Sequence, residues 1–355
     1  MKKSELLAKG SFGCIYKPAL PCKDKKYNPK NKNVSKLIFS LHGTTDKNAK
    51  DEFKMNQKIM KIKNHKQWTK TWTELCDPPD QKYLEEISEL KKCLNKPHPR
   101  DFKYVTKLLI GYDAGKPLLV HTLDLFKKSF QTQKAFCKAF LSLFRSMESL
   151  LIGLTELQKH KICHQDMNYR NITYSNGKMM LVDYGISLDF NDKEKALGRI
   201  NDEFNYGRLY DIYPYEYLYH IRNKKLLKEE MEDLEWKIYR SNHKDKYIVI
   251  HQKIFHREPS DDDIYSILQT NSRSLPNTLP LLIQTLDTYS LGMLLPLLLL
   301  HVSDAYGIKT KQLCHLFNQK DLKEHLELLK SMTTFYAKDR IHPKEAMDHY
   351  QKLIR

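Results

Sequence analysis

Short alternating runs give way to long three-and-four spacing along this chain, and the change falls near residue 125. Before it, LLAKGSFGCIY (6–16), VSKLIF (34–39) and KPLLVHTL (116–123) are apolar and read as strands bounded by Gly, Pro, Asn and Lys. The stretch PCKDKKYNPKNKN (21–33) is charged and turn-rich, as an exposed loop would be. TTDKNAKDEFKMNQKIMKI (44–62) opens with cap-type residues and continues as a helix. After residue 125, Phe136, Phe140, Leu143, Phe144, Met147, Leu150, Leu151, Leu154 and Leu157 recur at helical spacing and define one broad buried face. TYSLGMLLPLLLL (288–300) and HPKEAMDHYQKLI (342–354) are further helices. A β-rich front and an α-rich rear predict an α+β, bilobal fold: a lobe over 1–122, a larger one over 123–355, and a cleft between them. Mixed charge over about 220–284 interrupts the second part, and no internal repeat is visible.

Composition narrows the class. With 355 residues, 41% hydrophobic and 29% charged, the chain can bury substantial cores. A net charge of +17 favours anionic partners such as nucleotides, acidic peptides, nucleic acid or a membrane surface, although the lysines are scattered and a generally lysine-rich surface explains them equally well. The cysteines (Cys14, Cys22, Cys76, Cys93, Cys137, Cys163, Cys314) are odd in number and form no C-x-x-C. Neither a disulfide framework nor a metal site is expected from them, and a reducing compartment is. The N-terminus lacks the apolar stretch of a signal peptide, and LGMLLPLLLLHV (291–302), which contains Pro296, is too short to span a membrane and reads as a buried core helix. A soluble, intracellular protein is the expectation.

Candidate chemistry concentrates in a few places. Gly10 and Gly13 flank Phe12 between two strand-like segments, where a glycine backbone can approach phosphates closely; a plain hairpin turn would look the same. Lys36 lies among apolar residues of a strand and is a solvent-facing lysine or a cation for phosphate oxygens. Its helix partner would be Glu52, the only glutamate between Glu5 and Glu74, which shares a face with Met55 and Ile59; Asp51 competes from one position around. In HQDMNYRN (164–171), Asp166 can orient a hydroxyl proton and Asn171 can offer a neutral oxygen to a cation. Asp183 ends the apolar LVDYG run, where a carboxylate can bind Mg²⁺. His160, His164 and His349 have the wrong spacing for a metal site, and Cys163–His164 is no nucleophile–base pair, since strand neighbours face opposite ways. Cys14 reads as a strand cysteine, or as an oxidisable thiol beside the glycines.

This ordered set resembles a eukaryotic-type protein kinase domain, over roughly Leu7 to Tyr350. The resemblance implies ATP and Mg²⁺ as cofactors. Gly10, Ser11, Phe12, Gly13 and Ile15 would line the nucleotide, and Lys36, held by Glu52, would orient its phosphates. Asn171 and Asp183 would hold Mg²⁺, with Asp166 as the catalytic aspartate. Three further segments fit the same family. Asp287 in DTYSLG would anchor the catalytic loop from beneath, Tyr213-Pro-Tyr-Glu216 would close the activation segment, and Arg340 would form a buried ion pair with Glu216. GSFGCIYKPALPC with QWTKTWTELCDPP is also similar to divergent kinases of large nucleocytoplasmic DNA viruses, which implies a host-cytoplasmic or virion-associated enzyme.

The departures shape what the resemblance implies. Ala8 replaces the first loop glycine. Gln165 replaces the arginine that commonly binds an activation-loop phosphate, which argues against that mode of activation. Asn168 stands where serine/threonine kinases carry lysine, and Arg170 stands where many tyrosine kinases carry an arginine that can stabilise the transferring phosphoryl group. The spacing from Glu216 to Asp287 exceeds the family norm. The expected activity is phosphorylation of protein Ser/Thr hydroxyls. Tyrosine or dual specificity, a catalytically weak scaffold, and a small-molecule kinase are the alternatives, the last disfavoured by the Arg340 and DTYSLG segments.

Overall fold

β-Branched and aliphatic residues of VSKLIF build the central strand of a sheet, and the rest of the first unit assembles around it. In the computed structural model, residues 4–10, 13–24, 33–39, 47–87, 90–93, 105–196, 198–199, 213–214, 249–257 and 275–355 are described. The chain divides into two compact units, Met1–Gly115 with Val182–Ile186, and Lys116–Leu181 with Ser187–Arg355. The sequence pattern places the boundary after residue 122 instead.

The first unit holds five antiparallel strands, β1 (Glu5–Gly10), β2 (Gly13–Lys17), β3 (Asn33–Phe39), β4 (Trp72–Cys76) and β5 (Val105–Tyr112), in the order β1-β2-β3-β5-β4. Every residue of β3 from Val34 to Ile38 is buried, as a strand covered on both faces requires. One cluster joins Tyr16, Leu20, Leu37, Leu84 and Leu108. A second, Ile38, Ala49 and Leu109 with Phe53, Trp72 and Leu75, seats helix α1 (Lys47–Met60). Short helices α2 (Gln81–Glu85) and α3 (Leu90–Cys93) also lie in this unit.

Two disulfides, Cys14–Cys93 and Cys22–Cys76, overturn the cysteine reading. Their partners lie 79 and 54 residues apart in sequence, yet the fold brings the Cα atoms to 6.2 and 5.9 Å, within bridging range. Local spacing rules do not see such pairs. Cys14 is a strand cysteine, as expected, but it is oxidised to Cys93 and carries no free thiol.

The second unit is mostly helical: α4 (Leu118–Phe126), α5 (Gln133–Arg145), α6 (Glu148–Lys159), α7 (Leu275–Ala305), α8 (Thr310–Phe317), α9 (Lys323–Met332) and α10 (Pro343–Ile354). A three-stranded sheet carries β6 (Lys116–Pro117), β8 (Ile172–Ser175) and β9 (Lys178–Leu181), and β7 (Ile162–Cys163) pairs with β10 (Leu188–Asp189). The expected strand over 116–123 is a correction: only Lys116–Pro117 is extended, and the rest is α4, which buries Leu118, Thr122 and Phe126 at intervals of one turn. The long apolar run breaks at Ser146, whose hydroxyl donates to Leu143 O at 2.6 Å and so competes with the helix ladder. α7 is a second correction in length: it runs on through Pro296 for 31 residues, where a segment too short to span a membrane is expected. It is the one helix among the described residues long and apolar enough to cross a membrane, but 94% of its most apolar window is buried inside the protein. Of the expected insertion, only Val249–Ile254 and the residues next to it, and α7 from Leu275 on, are described.

Candidate functional site

β3 places Lys36 opposite Ile15 on β2 and Leu109 on β5, with its ammonium buried. Ile15 is itself half-buried. Lys36 Nζ donates to both oxygens of Glu52 at 3.0 Å, and to Asp183 Oδ1 and Oδ2 at 3.0 and 3.1 Å. Helix α1 delivers Glu52, not Asp51, because Glu52 shares the buried face with Ala49, Met55 and Ile59. The segment Val182–Ile186 returns to the first unit and brings Asp183 with it. Asp183 has φ of 65°, a left-handed conformation uncommon for a residue with a side chain. Gly185 N–H donates to Asp183 Oδ1 at 3.2 Å, and a Cβ on Gly185 would stand 3.1 Å from that oxygen and 3.4 Å from Glu52 Oε2. Tyr184, also buried, donates its hydroxyl to Thr69 Oγ1 at 2.7 Å.

One ammonium thus serves two carboxylates. Burial opposes the charge on Lys36, but the carboxylates of Asp183 and Glu52 outweigh it and hold the amine well above its usual range. Glu52 is pushed above the ordinary carboxylate value by burial; Lys36 pulls it down, and Asp183 pushes it up again.

Gly10 and Gly13 face each other at the β1–β2 turn, while Ser11 and Phe12 lie outside the described residues. Gly13 has a structural reason to be glycine, since a Cβ there would sit 2.3 Å from Leu37 O.

A second group forms in the second unit. Asp287, on α7, accepts the N–H of His164 at 2.6 Å and of Gln165 at 2.9 Å, and so fixes the backbone that leads into Asp166. Gln165 is held there at φ of 69°. His164 is buried; its Nδ1 accepts the Asp166 N–H at 3.2 Å and its carbonyl accepts the Ser187 hydroxyl at 3.1 Å. Asp166 itself is clamped by two amides. Asn171 Nδ2 donates to Asp166 Oδ2 at 2.6 Å and to its carbonyl at 3.0 Å, and Asn168 Nδ2 donates to Asp166 Oδ1. Asn168 also caps the turn by accepting the Arg170 N–H at 2.8 Å. The Arg170 guanidinium is exposed and lies 5.7 Å from the centre of the Tyr169 ring. Cys163 is no nucleophile, because burial and the Asp287 carboxylate push its thiol well above the usual value.

Arg340 is buried, bonding Thr334 O at 2.8 and 3.0 Å and Thr285 Oγ1 at 3.2 Å, with its guanidinium 4.9 Å from the centre of the Tyr289 ring. Its expected partner Glu216 lies outside the described residues.

Two members of these groups escaped the sequence reading. The sequence marks Asn168 only as a departure and gives Trp72, whose indole reaches Glu52, no role. The available signal was Asn56, a polar residue one turn from Glu52 on the buried face of α1. No family model and no curated protein matches the chain, so a functional reading rests on these residues and their geometry.

Proposed function

We propose that this chain is an ATP- and Mg²⁺-dependent protein kinase that phosphorylates Ser/Thr hydroxyls. The observation that carries the reading is Lys36, buried and held between Glu52 and Asp183. A buried lysine with its own carboxylate brace is a prepared cation for phosphate oxygens. The donor set fits the cofactors. Asp183 offers a carboxylate with 39% of its side chain exposed, and the Asn171 amide, donating through nitrogen to Asp166, keeps an oxygen of the kind a hard divalent cation takes. Mg²⁺ would be held by Asp183 and Asn171, and the nucleotide by Gly10, Ser11, Phe12, Gly13 and Ile15. When bound, MgATP supplies the phosphoryl group and neutralises part of its charge.

The chain's own residues do the positioning. Lys36 orients phosphate oxygens. Asp166, fixed by two amides and anchored through Asp287, accepts the hydroxyl hydrogen bond of the substrate and aligns its oxygen. Arg170, exposed beside the loop, is the local cation for charge developing in transfer. The basic surface suits an acidic substrate, nucleic acid or a membrane surface. The disulfides favour the virion over a reducing cytoplasm, because such bonds persist in oxidising surroundings.

The competing reading is a kinase-shaped scaffold. Asn168 supports it, because its amide is committed to Asp166 where serine/threonine kinases carry lysine. Transfer of labelled γ-phosphate from ATP with Mg²⁺, to the protein and to acidic and basic substrates, separates the two. Wild type should transfer, and Lys36→Ala and Asp166→Asn should each lose about 100-fold or more. Phosphoserine or phosphothreonine in the product supports the stated specificity and phosphotyrosine overturns it. Transfer that survives both substitutions removes the assignment, and no transfer by folded wild type leaves the scaffold.

A further inference from the structure

We propose that Trp72 is a positioning residue for the phosphate-orienting group, its indole N–H fixing the Glu52 carboxylate against the Lys36 ammonium. Its effect on turnover rests on the kinase reading; the contact itself does not.

The geometry is a two-point tie between β4 and α1. Trp72 Nε1 donates to Glu52 Oε1 at 2.8 Å, and the same oxygen meets Lys36 Nζ at 3.0 Å. One turn along the helix, Asn56 Oδ1 accepts the Trp72 main-chain N–H at 2.9 Å, while Asn56 Nδ2 donates to Glu52 O at 2.8 Å. Asn56 is 1% exposed, so this side chain is committed to the tie. Across the sheet, Trp72 pairs with Gly111, where a Cβ would stand 2.9 Å from the indole Cε3 and 2.8 Å from Thr71 O. The missing side chain on β5 is what lets the ring lie there. Ile38, Ala49, Leu109, Phe53 and Leu75 make the surroundings apolar, where a hydrogen bond to a charged oxygen counts for most.

The tie answers a specific problem. Glu52 is the more deeply buried of two carboxylates that share one ammonium, so the donors packed around it decide where its oxygens sit. An indole N–H donates to the carboxylate and fixes its direction, which a phenyl ring cannot do. The charged groups facing Glu52 are Lys36 from β3 and Asp183 from the Val182–Ile186 segment. Trp72 and Asn56 are neutral.

The test uses the full chain as wild type, Trp72→Phe, Glu52→Gln and the double variant. The sequence has three tryptophans, so few indole N–H resonances appear in a ¹⁵N spectrum, and that of Trp72 is the one lost in Trp72→Phe. Glu52→Gln should move this resonance. Trp72→Phe should lower kcat/KM for ATP about tenfold, with the larger part of the loss in kcat. In the Glu52→Gln background it should add little. An indole signal indifferent to Glu52→Gln overturns the contact, and this arm stands even if Trp72→Phe does not fold. An unchanged kcat in Trp72→Phe, or a full additive loss in the double variant, overturns the positioning role. A responsive indole in a wild type that neither binds MgATP nor transfers phosphate ends the kinase reading and supports the contact.

Discussion

His251 is buried beside α7 with its Nε2 3.2 Å from the Tyr289 hydroxyl, its Nδ1 3.4 Å from Arg257 Nε, and its ring 4.8 Å from that of Phe335. Burial, and then the Arg257 guanidinium, hold its pKa well below the ordinary 6.5. The sign follows from linkage. With the folded value depressed, the stability tied to a neutral His251 is complete above 6.5 and is lost as pH falls, because the unfolded chain takes up a proton that the folded chain refuses. The urea midpoint of the second unit should therefore decline as pH falls below about 6.5, and His251→Gln, which cannot titrate, should decline less steeply. Parallel declines would show that other groups govern the acid response. Residues of this kind are not readable from sequence, because a histidine's neighbours come from distant segments. Lys36, Glu52, Asp166, Asn171 and Asp183 were legible since each stands in an ordered motif, and Glu52 had no rival glutamate nearby. Trp72 was not, because strand pairing with Gly111 decides where its indole points.

Among elements, α7 shows most directly how packing decides a helix. Gly292 lies in it at a close approach to α9, where a Cβ would stand 2.6 Å from Thr333 Cγ2, 2.9 Å from Met332 Cβ and 3.0 Å from Leu329 O. Thr333 cannot swing aside without cost, because its hydroxyl donates to Leu329 O at 3.0 Å and accepts from Arg257 Nη2 at 2.8 Å. Alanine in place of glycine gains about 1 kcal/mol in helix propensity, whereas overpacking costs about 1–3 kcal/mol. Gly292→Ala should therefore lower the melting temperature, by several degrees where the upper figure holds, and an unchanged or raised value would show that α9 can move away. Elements with a polar face were the legible ones. α1, α5, α6 and α10 each expose one side and bury the other, and their periodicity announces it. Residues 116–123 read as a strand because Leu118, Leu119 and Val120 in a row suit a strand as well as a helix, and only the burial of Leu118, Thr122 and Phe126 decides between them.

At the scale of the molecule, cysteine chemistry divides the two units. Both disulfides lie in the first unit, and the three free cysteines, Cys137, Cys163 and Cys314, are buried in the second. The first unit is the smaller, with a sheet that has little core on which to rely, so covalent ties matter more there. Cys14 pairs in register with Leu37, the neighbour of Lys36, and Cys76 ends the strand that Trp72 begins. The two bridges thus brace β2, the neighbour of the strand that carries Lys36, and β4, the strand that carries Trp72. Denaturing the chain without reductant and alkylating it should label three of the seven cysteines, and reduction should expose all seven. Labelling of seven before reduction would remove the pairing. Loss of a native disulfide costs about 2–5 kcal/mol, so reductant should lower the melting of the first unit and leave the second near its original value. If Lys36 serves nucleotide phosphates, MgATP affinity should fall with the same reductant dependence. Affinity unaffected by reduction would place the bridges outside the control of the site, since a sheet loosened at β2 and β4 cannot keep Lys36, Glu52 and Trp72 in one arrangement.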